Sequence, residues 1–415
     1  MRGLRVWARL VGVEQAVVES VWFDECADAV VVSVRLRGRA ARRCGVCRCR
    51  CAGYDRGRGR RRWRAVDLGV TRAYVEAAAP RVYCPEHGVV VAAVPWARHG
   101  AGHTRDFDAL VVWLVRRMSK QAVCQLVRVG WRTVGEIMER MVTDADAAAG
   151  DRLAGLRRIG IDEVSYRRGH RYLTVVVDHD TRRVVWVAPG RDKATLLRFF
   201  DLLGPQRCAQ IALVSADGAE WIFSAVTERC PNVKICLDPF HVVAWAGKAL
   251  DAVRSRVHDA ARRAGQTALA QGVKGARYAL WKDPADLTAR QQAKLAWIEA
   301  TNQPLYRAYL LHQQLRQVFA GAGDQRIELL DAWLDCAASS GLRPFVELAG
   351  RIRRWYRDDI ANTLTHRLSN GLLESTNTKI RLLTRMAFGF KTPDALIAMV
   401  KLHLGGYHLP LSGRA

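Results

Sequence analysis

Three carboxylates and two pairs of soft ligands stand out in this chain as residues whose type and spacing could do chemistry. The runs Ile159-Gly-Ile-Asp162-Glu163 and Ile211-Ala-Leu-Val-Ser-Ala-Asp217-Gly218 are apolar strands that end in an acid. Such an acid is costly to bury unless it is paired or ligates a metal. Hard divalent ions such as Mg2+ prefer these oxygen ligands. Holding two ions about 3.5–4 Å apart for in-line phosphoryl transfer needs a third carboxylate. Glu374, in Ser369-Asn-Gly-Leu-Leu-Glu374-Ser-Thr-Asn377-Thr-Lys379-Ile-Arg381, is the best candidate. On a helix Glu374, Asn377, Arg381 and Arg385 share one face. An acid would then stand beside cations, Lys379 among them, that can grip DNA phosphate. The alternative is three unrelated surface acids and a solvated helix face.

The soft ligands are Cys44-Gly-Val-Cys47 and Cys84-Pro-Glu-His87. Two ligand pairs, each in a tight turn, suit one tetrahedral structural Zn2+. Gly45 and Gly88 fit turns with unusual backbone angles. Cys49 or Cys51 could replace Cys47 as a ligand. Between the pairs, six arginines occupy the nine positions from Arg56 to Arg64. Arg56, Arg58, Arg60, Arg61 and Arg62 are candidates for phosphate contact, where neutralising phosphates releases counterions. A solvated loop is the alternative.

Positioning the acids requires a sheet. Ile159–Val164, His170–Asp178 and Arg183–Val187 read as an antiparallel meander. A helix over Ala194–Leu203, a strand ending at Asp217, a helix over Ala219–Glu228 and a strand Val233–Asp238 follow. This βββαβαβ order is that of an α/β RNase H-like core with a mixed sheet, in which the first and fourth strands are neighbours. Ahead of it, Gln15–Trp22, Ala29–Leu36 and Ala73–Tyr83 are β-like. Phe107, Leu110, Val111, Leu114 and Val115 recur at helical spacing. A helix capped by Ser119, a turn at Gly130 and a helix from Trp131 to Met141 then read as a helix-turn-helix. Arg132 and Thr133, at the start of the second helix, are its base-reading candidates; a plain helical hairpin is the alternative. The expected domains are 1–98 (β-rich, zinc-binding), 99–150 (helix-turn-helix), 151–250 (first part of the core), 251–360 (all-α insertion) and 361–415 (C-terminal core helix).

Composition bounds the partners. Among 415 residues, 65 Lys+Arg against 40 Asp+Glu give a net charge of +25, which points to a polyanion, foremost nucleic acid. Half the residues are hydrophobic, which argues against disorder. No apolar run reaches the ~18 residues of a spanning helix, and the first residues lack a secretory core. The expected compartment is the cytoplasm, in association with the nucleoid. Eleven cysteines there imply thiols and metal ligands rather than disulfides.

The segments IGIDEVSYRRGHRYLTVVVD, VSADGAEWIFSAV, LDPFHVV and SNGLLESTNTKIRLLTRMAFGF resemble the DDE transposases of bacterial insertion sequences, specifically the ISL-three family. The N-terminal modules resemble the same family, so the likeness covers nearly the whole chain. It implies that Asp162, Asp217 and Glu374 hold two Mg2+ (or Mn2+). It implies a supporting role for Asp238 and His241, the Asp-x-x-His signature of transposases with a helical insertion. Asn377 and Arg381 are further candidates for positioning. The gap from Asp217 to Glu374 (374 − 217 = 157) exceeds an uninterrupted core and marks the insertion. Two departures stand: CPEH replaces the more usual cysteines, and Glu163 has no assigned role. The implied reaction is cleavage at transposon ends and transfer of the 3′-OH into target DNA, by a homodimer or higher oligomer on double-stranded DNA. The alternatives are an RNase H-like nuclease without strand transfer and an inactive, transposase-derived regulator.

Overall fold

In the computed structural model, residues 2–13, 16–38, 41–321, 325–409 and 411 are described. The chain divides into two compact units, one of residues 1–152 with 382–415, the other of 153–381. The expected segment 361–415 is thus split: its last thirty-four residues pack with the N-terminal modules (415 − 381 = 34).

The first unit begins with α1 (Arg2–Leu10), which the sequence reading did not anticipate. Seven strands follow: β1 (Ala16–Asp24), β2 (Ala29–Leu36), β3 (Ala52–Asp55), β4 (Arg60–Leu68), β5 (Thr71–Ala78), β6 (Arg81–Cys84) and β7 (Gly88–Val91). One sheet has the order β1-β2-β5-β4 and a second the order β3-β6-β7. Gln15, the first residue of the expected β-like run, lies outside the described residues. The expected run Ala73–Tyr83 is two strands, broken at Pro80, whose missing N–H and fixed φ suit a strand end. Around the first sheet, Val32, Val34, Trp63, Ala65, Val75 and Trp96 form the core.

The arginine-rich segment is a correction. Only its start is a turn; from Arg60 it is β4. Alternation buries Trp63 and Ala65 against the sheet. Arg60 and Arg62 are tied to Glu76 at 3.0 and 3.1 Å, and Arg62 also to Asp24 at 2.7 Å. Arg61 donates to the Ala101 carbonyl at 2.7 Å. Arg64 is buried, against Asp67 and over the rings of Tyr74 and Phe107. Arg56 and Arg58 remain on the exposed turn.

Helices α2 (Arg105–Val115), α3 (Lys120–Val127) and α4 (Trp131–Ala149) complete the first stretch. Thr104 and Ser119 cap α2 and α3, accepting from the N–H of Phe107 and Ala122. The turn differs in detail from expectation. Arg128 takes the left-handed conformation (φ 55°), while Gly130 is extended and caps α4. Phe107, Val111, Val123, Val134, Ile137 and Met138 pack together with Leu383, Met399 and Leu402 of the chain's last segment.

The second unit carries β8 (Arg158–Arg167), β9 (Arg171–Asp178), β10 (Arg183–Pro189), α5 (Lys193–Leu203), the short α6 (Pro205–Cys208), β11 (Leu213–Ala216), α7 (Glu220–Arg229) and β12 (Lys234–Leu237). The sheet order is β10-β9-β8-β11-β12. The first three strands are antiparallel; β11 runs parallel to both β8 and β12. Helices then continue as α8 (Pro239–Arg263), α9 (Thr267–Lys274), α10 (Arg277–Trp281), α11 (Ala289–Thr301), α12 (Gln303–Ala320), α13 (Arg326–Ala338), α14 (Arg343–Trp355), α15 (Arg357–His366) and α16 (Gly371–Met386). These helices have their own core, around Leu250, Leu305, Leu315, Leu334 and Phe345. α17 (Pro393–Leu404) returns to the first unit.

Strand parity decides which face meets which partner. Ile159, Ile161, Val214 and Ala216 point into the core shared with Leu196, Phe199, Ile222 and Val226 of α5 and α7. Gly160 and Asp162 therefore face the other way. A Cβ on Gly160 would lie 2.8 Å from the Leu373 side chain and 2.9 Å from His179. The missing side chain is what lets α16 approach the sheet so closely. On the edge strand, Asn362 and Thr363 of α15 donate to the carbonyls of Ile235 and Leu237 at 3.1 and 2.7 Å.

Candidate active site and metal centres

In the parallel part of the sheet, Ala216 pairs with Ile161 on one side and with Leu237 on the other. The next residue of each strand is an acid, so Asp162, Asp217 and Asp238 stand in a row. Asp162, Glu163 and Asp217 bring one oxygen each within 4.8 Å of one another. Three acids that close repel unless protons or cations intervene. Burial, followed by the charges of Asp217 and Glu163, pushes Asp162 up to about 7. Burial also raises Glu163.

Partners hold these acids in place. Asn377 donates to Asp162 Oδ2 at 2.7 Å, and the Glu163 N–H donates to Asp162 Oδ1 at 2.7 Å. Arg191 pairs with Glu163 Oε1 at 2.7 Å while its guanidinium stacks on Tyr172. Asp238 is buried and caps the start of α8; it accepts from the Asn370 N–H at 3.3 Å. Its other oxygen bonds His241 Nδ1 at 3.1 Å, leaving His241 Nε2 4.0 Å from Asp217. The bond to Asp238 raises the His241 pKa, and the Asp217 and Asp162 charges add to this. Glu163 Oε2 and Asn377 Oδ1 are buried with no hydrogen-bond partner among the described residues. Buried oxygens left without partners, beside crowded acids, are what a divalent cation satisfies.

The expected residues thus divide. Asp162, Asp217, Asp238, His241 and Asn377 come together. Glu374 is exposed in the first turn of α16 and is not part of the carboxylate cluster. Lys379, Arg381 and Arg385 are exposed, with Arg385 in the other unit. Glu163, Arg191 and Asn370 were not anticipated at the site. Asp178, the acid ending β9, is spent on its own turn, accepting from Asp180 N–H and Thr181 Oγ1.

The soft-ligand cluster lies in the first unit. Cys44, Cys47, Cys84 and His87 converge. Cys47 Sγ is 3.7 Å from Cys84 Sγ, and Cys84 Sγ is 3.6 Å from His87 Nδ1. A tetrahedral zinc with Zn–S bonds of ~2.3 Å has ligand-to-ligand edges of about 3.8 Å, so these distances fit. The Val46 N–H donates to Cys44 Sγ at 3.4 Å and the Arg48 N–H to the Cys44 carbonyl at 3.1 Å, closing the knuckle. Arg48 takes the left-handed backbone (φ 62°), a correction to the role expected of Gly45. Gly45 is needed for room: a Cβ there would meet His99 Nδ1 at 2.3 Å and the Val91 carbonyl at 2.5 Å. Gly88 does have positive φ (65°), as expected. The hydrogen bond to His87 brings Cys84 down to about 5. Cys49 and Cys51 form a second group with the same Cys84. The buried cluster here is small: Cys44, Cys51, Val82, Cys84 and Ala92, with Val90 packed against it.

In the helix-turn-helix, Arg132 projects into solvent (93% exposed), bonded to Glu136 at 2.9 Å, and Thr133 sits one residue later on α4. No described helix is long and apolar enough to cross a membrane.

Residues 159–400 match the DDE domain of ISL3-type elements, described as "Transposase". That is more than half of the chain. The chain belongs to the ISL3 family of transposases. Residues 92–142 match the helix-turn-helix domain of that family, and residues 40–87 the zinc finger of the IS204/IS1001/IS1096/IS1165 transposases. The transposase for insertion sequence element IS1557 of Mycobacterium tuberculosis is 53% identical over 438 aligned residues, covering 100% of this chain and 98% of that protein. The IS1001 transposase of Bordetella parapertussis is 27% identical over 296 residues, 71% of each chain. Membership of this family implies DNA binding and nuclease/transferase activity.

Proposed function

We propose that this ISL3 transposase cuts DNA at the ends of its insertion sequence and joins the freed 3′-OH to target DNA, on an RNase H-like core. The observation that carries the reading is the row of Asp162, Asp217 and Asp238 across adjacent strands, with two buried oxygens lacking hydrogen-bond partners among the described residues, in a family of DDE transposases. The sheet order and βββαβαβ connectivity support the fold assignment. Asp162 and Asp217 would hold two Mg2+ (or Mn2+), with Glu374 as the third acid, one helical turn ahead of Asn377 on α16. Mg2+ held by these residues would supply Lewis-acid chemistry, to activate a water and to stabilise a departing 3′ oxygen.

The chain's own residues do the rest. Asn377 fixes the Asp162 carboxylate by its amide hydrogen bond. Arg191 holds Glu163 and lowers the local excess of negative charge. His241, oriented by Asp238, presents Nε2 toward Asp217 and can carry a proton there. Lys379, Arg381 and Arg385 offer cations to backbone phosphates, as do Arg56 and Arg58 beside the zinc module. Arg61 and Arg62, with Arg60, can contribute through the field of β4 while remaining tied to the protein. Arg132 and Thr133 would read bases in the major groove. One Zn2+ would be held by Cys44, Cys47, Cys84 and His87. The working form is a homodimer or higher oligomer on double-stranded DNA, in the cytoplasm at the nucleoid.

Asp162→Ala, Asp217→Ala and Glu374→Ala test the site. Each should abolish Mg2+-dependent cleavage of DNA carrying the element's ends, and normal cleavage by one removes that residue. Cleavage without joining of the 3′-OH would identify a nuclease instead.

A further inference from the structure

Helix α8 has two working faces. Asp238 and His241 at its start address the carboxylates. Phe240, Val243, Ala244, Gly247 and Lys248, spaced at i, i+3, i+4, i+7 and i+8, form the adjoining stripe and line a cavity of about 550 Å³. No step of the proposed reaction uses this cavity.

Its chemistry is specific. Phe240 and Trp281 are large aromatics left 67% and 41% exposed. The floor is small, Ala244 and Gly247, which leaves room for a flat ring. His312, 5% exposed, also lines the cavity, with Nε2 3.7 Å from where a Cβ on Gly247 would stand. The cationic side is formed by Lys248, exposed, and Arg277, whose guanidinium lies 4.2 Å from the Trp281 ring centroid. Asp251 also lines the cavity, but it pairs with Arg254 at 2.8 Å and with Arg277 at 3.9 Å. Aromatic walls, a buried polar edge and a cationic rim together match a nucleobase with its phosphate.

We propose that this cavity takes an unpaired nucleobase of the DNA strand held at the carboxylates, stacked on Phe240 and Trp281, with His312 at its polar edge and Lys248 and Arg277 on the phosphate. A base still paired in duplex cannot enter, so the site selects single-stranded or extruded nucleotides. From His241 to Gly247 the helix rises only about 9 Å, within about three duplex base steps of ~3.4 Å. The inference rests on the proposed function for the reason a strand lies there, but the binding can be tested apart from catalysis.

The probes are a labelled single-stranded (dT)20 and a 20-base-pair duplex, bound to the full chain without divalent metal and read by fluorescence anisotropy. Trp281→Ala should weaken single-strand binding about 5- to 100-fold, the range expected for one lost base stack. Gly247→Leu fills the cavity from a helical position and should do the same, which guards against a folding defect in the first variant. Duplex binding should change less than twofold in both. A 5-iodouracil oligonucleotide should photo-crosslink to the peptide carrying Trp281. Wild-type single-strand affinity in both variants, equal losses on the duplex, or a crosslink elsewhere in the chain would overturn the proposal. If these binding effects hold while Mg2+-dependent cleavage is absent, the cavity stands and the catalytic reading fails.

Discussion

The thiol cluster of the first unit and the carboxylate cluster of the second solve opposite problems. Cys44, Cys47, Cys84 and His87 come from two short turns, converge at the edge lengths of a tetrahedron, and sit in a module with almost no core of its own. Asp162, Asp217 and Asn377 come from a well-packed sheet and from a helix 215 residues away from Asp162. Their oxygens are crowded, burial raises the Asp162 pKa, and one Asn377 oxygen lacks a partner among the described residues, while Glu374 stands outside the group. A structural metal site is closed by its ligands, whereas a catalytic one keeps positions open for water and substrate. On the proposed reading, the metal would make the fold in the first, and the fold would make the metal site in the second.

The comparison is broken most readily at Cys84, the thiol common to both groups of cysteines. Structural zinc contributes on the order of 10 kcal/mol in small modules. Cys84→Ser should release the zinc and unfold residues 41–92, read as lost metal by mass spectrometry and lost protection in hydrogen exchange. Cys49→Ser should keep both, and zinc loss there would move the ligand set. Next in size, Asp217→Asn should reduce strand cleavage at least about 1,000-fold with no fall in melting temperature, since it removes charge from a site the fold already holds. A large drop in melting temperature would mean that the acids are structural, as in the first unit.

Legibility from sequence followed the same division. The CxxC and CxxH pairs were readable because their ligands are neighbours in sequence. Asp217 was readable because it ends an apolar strand, and Asp162 because it follows an apolar run, although β8 continues past it to Arg167. Glu163 was not, since adjacent strand residues point to opposite faces and only its longer side chain reaches the cluster. Asn370 and Arg191 depend on tertiary packing with no local signature. The arginine run looked like a loop because Arg-Gly alternation resembles one; Trp63 and Ala65, two residues apart, were the strand signal inside it. The grouping of residues 382–415 with the first unit rests on Leu383, Met399 and Leu402 meeting α2 and α4, which no local pattern specifies.

Smaller effects sharpen the second half of the comparison. Asn377→Ala should weaken Mn2+ binding about 10- to 100-fold by calorimetry, the usual cost of losing a group that orients a ligand. Gly160→Ala forces a methyl against Leu373 and should cost about 1–3 kcal/mol in denaturant unfolding, with cleavage reduced alongside. A neutral result would mean that α16 does not need its close approach. The smallest effect is on pH dependence. Asp162 keeps its proton up to about 7 in the fold, against an ordinary value near 4, so its contribution to the metal-free fold is complete below pH ~4 and is lost as pH rises through 7. The metal-free melting temperature should therefore fall between pH 5 and 8 by more in the wild type than in Asp162→Asn, and Mg2+ should restore it at pH 8.

The most direct test replaces Mg2+ with Fe2+ and uses ascorbate and peroxide to cut the polypeptide wherever the ion binds. The account predicts cuts near residues 162, 217 and 374 that excess Mg2+ suppresses and that Asp217→Asn abolishes. Cuts confined to the cysteine cluster, or none near residues 162 and 217, would contradict it.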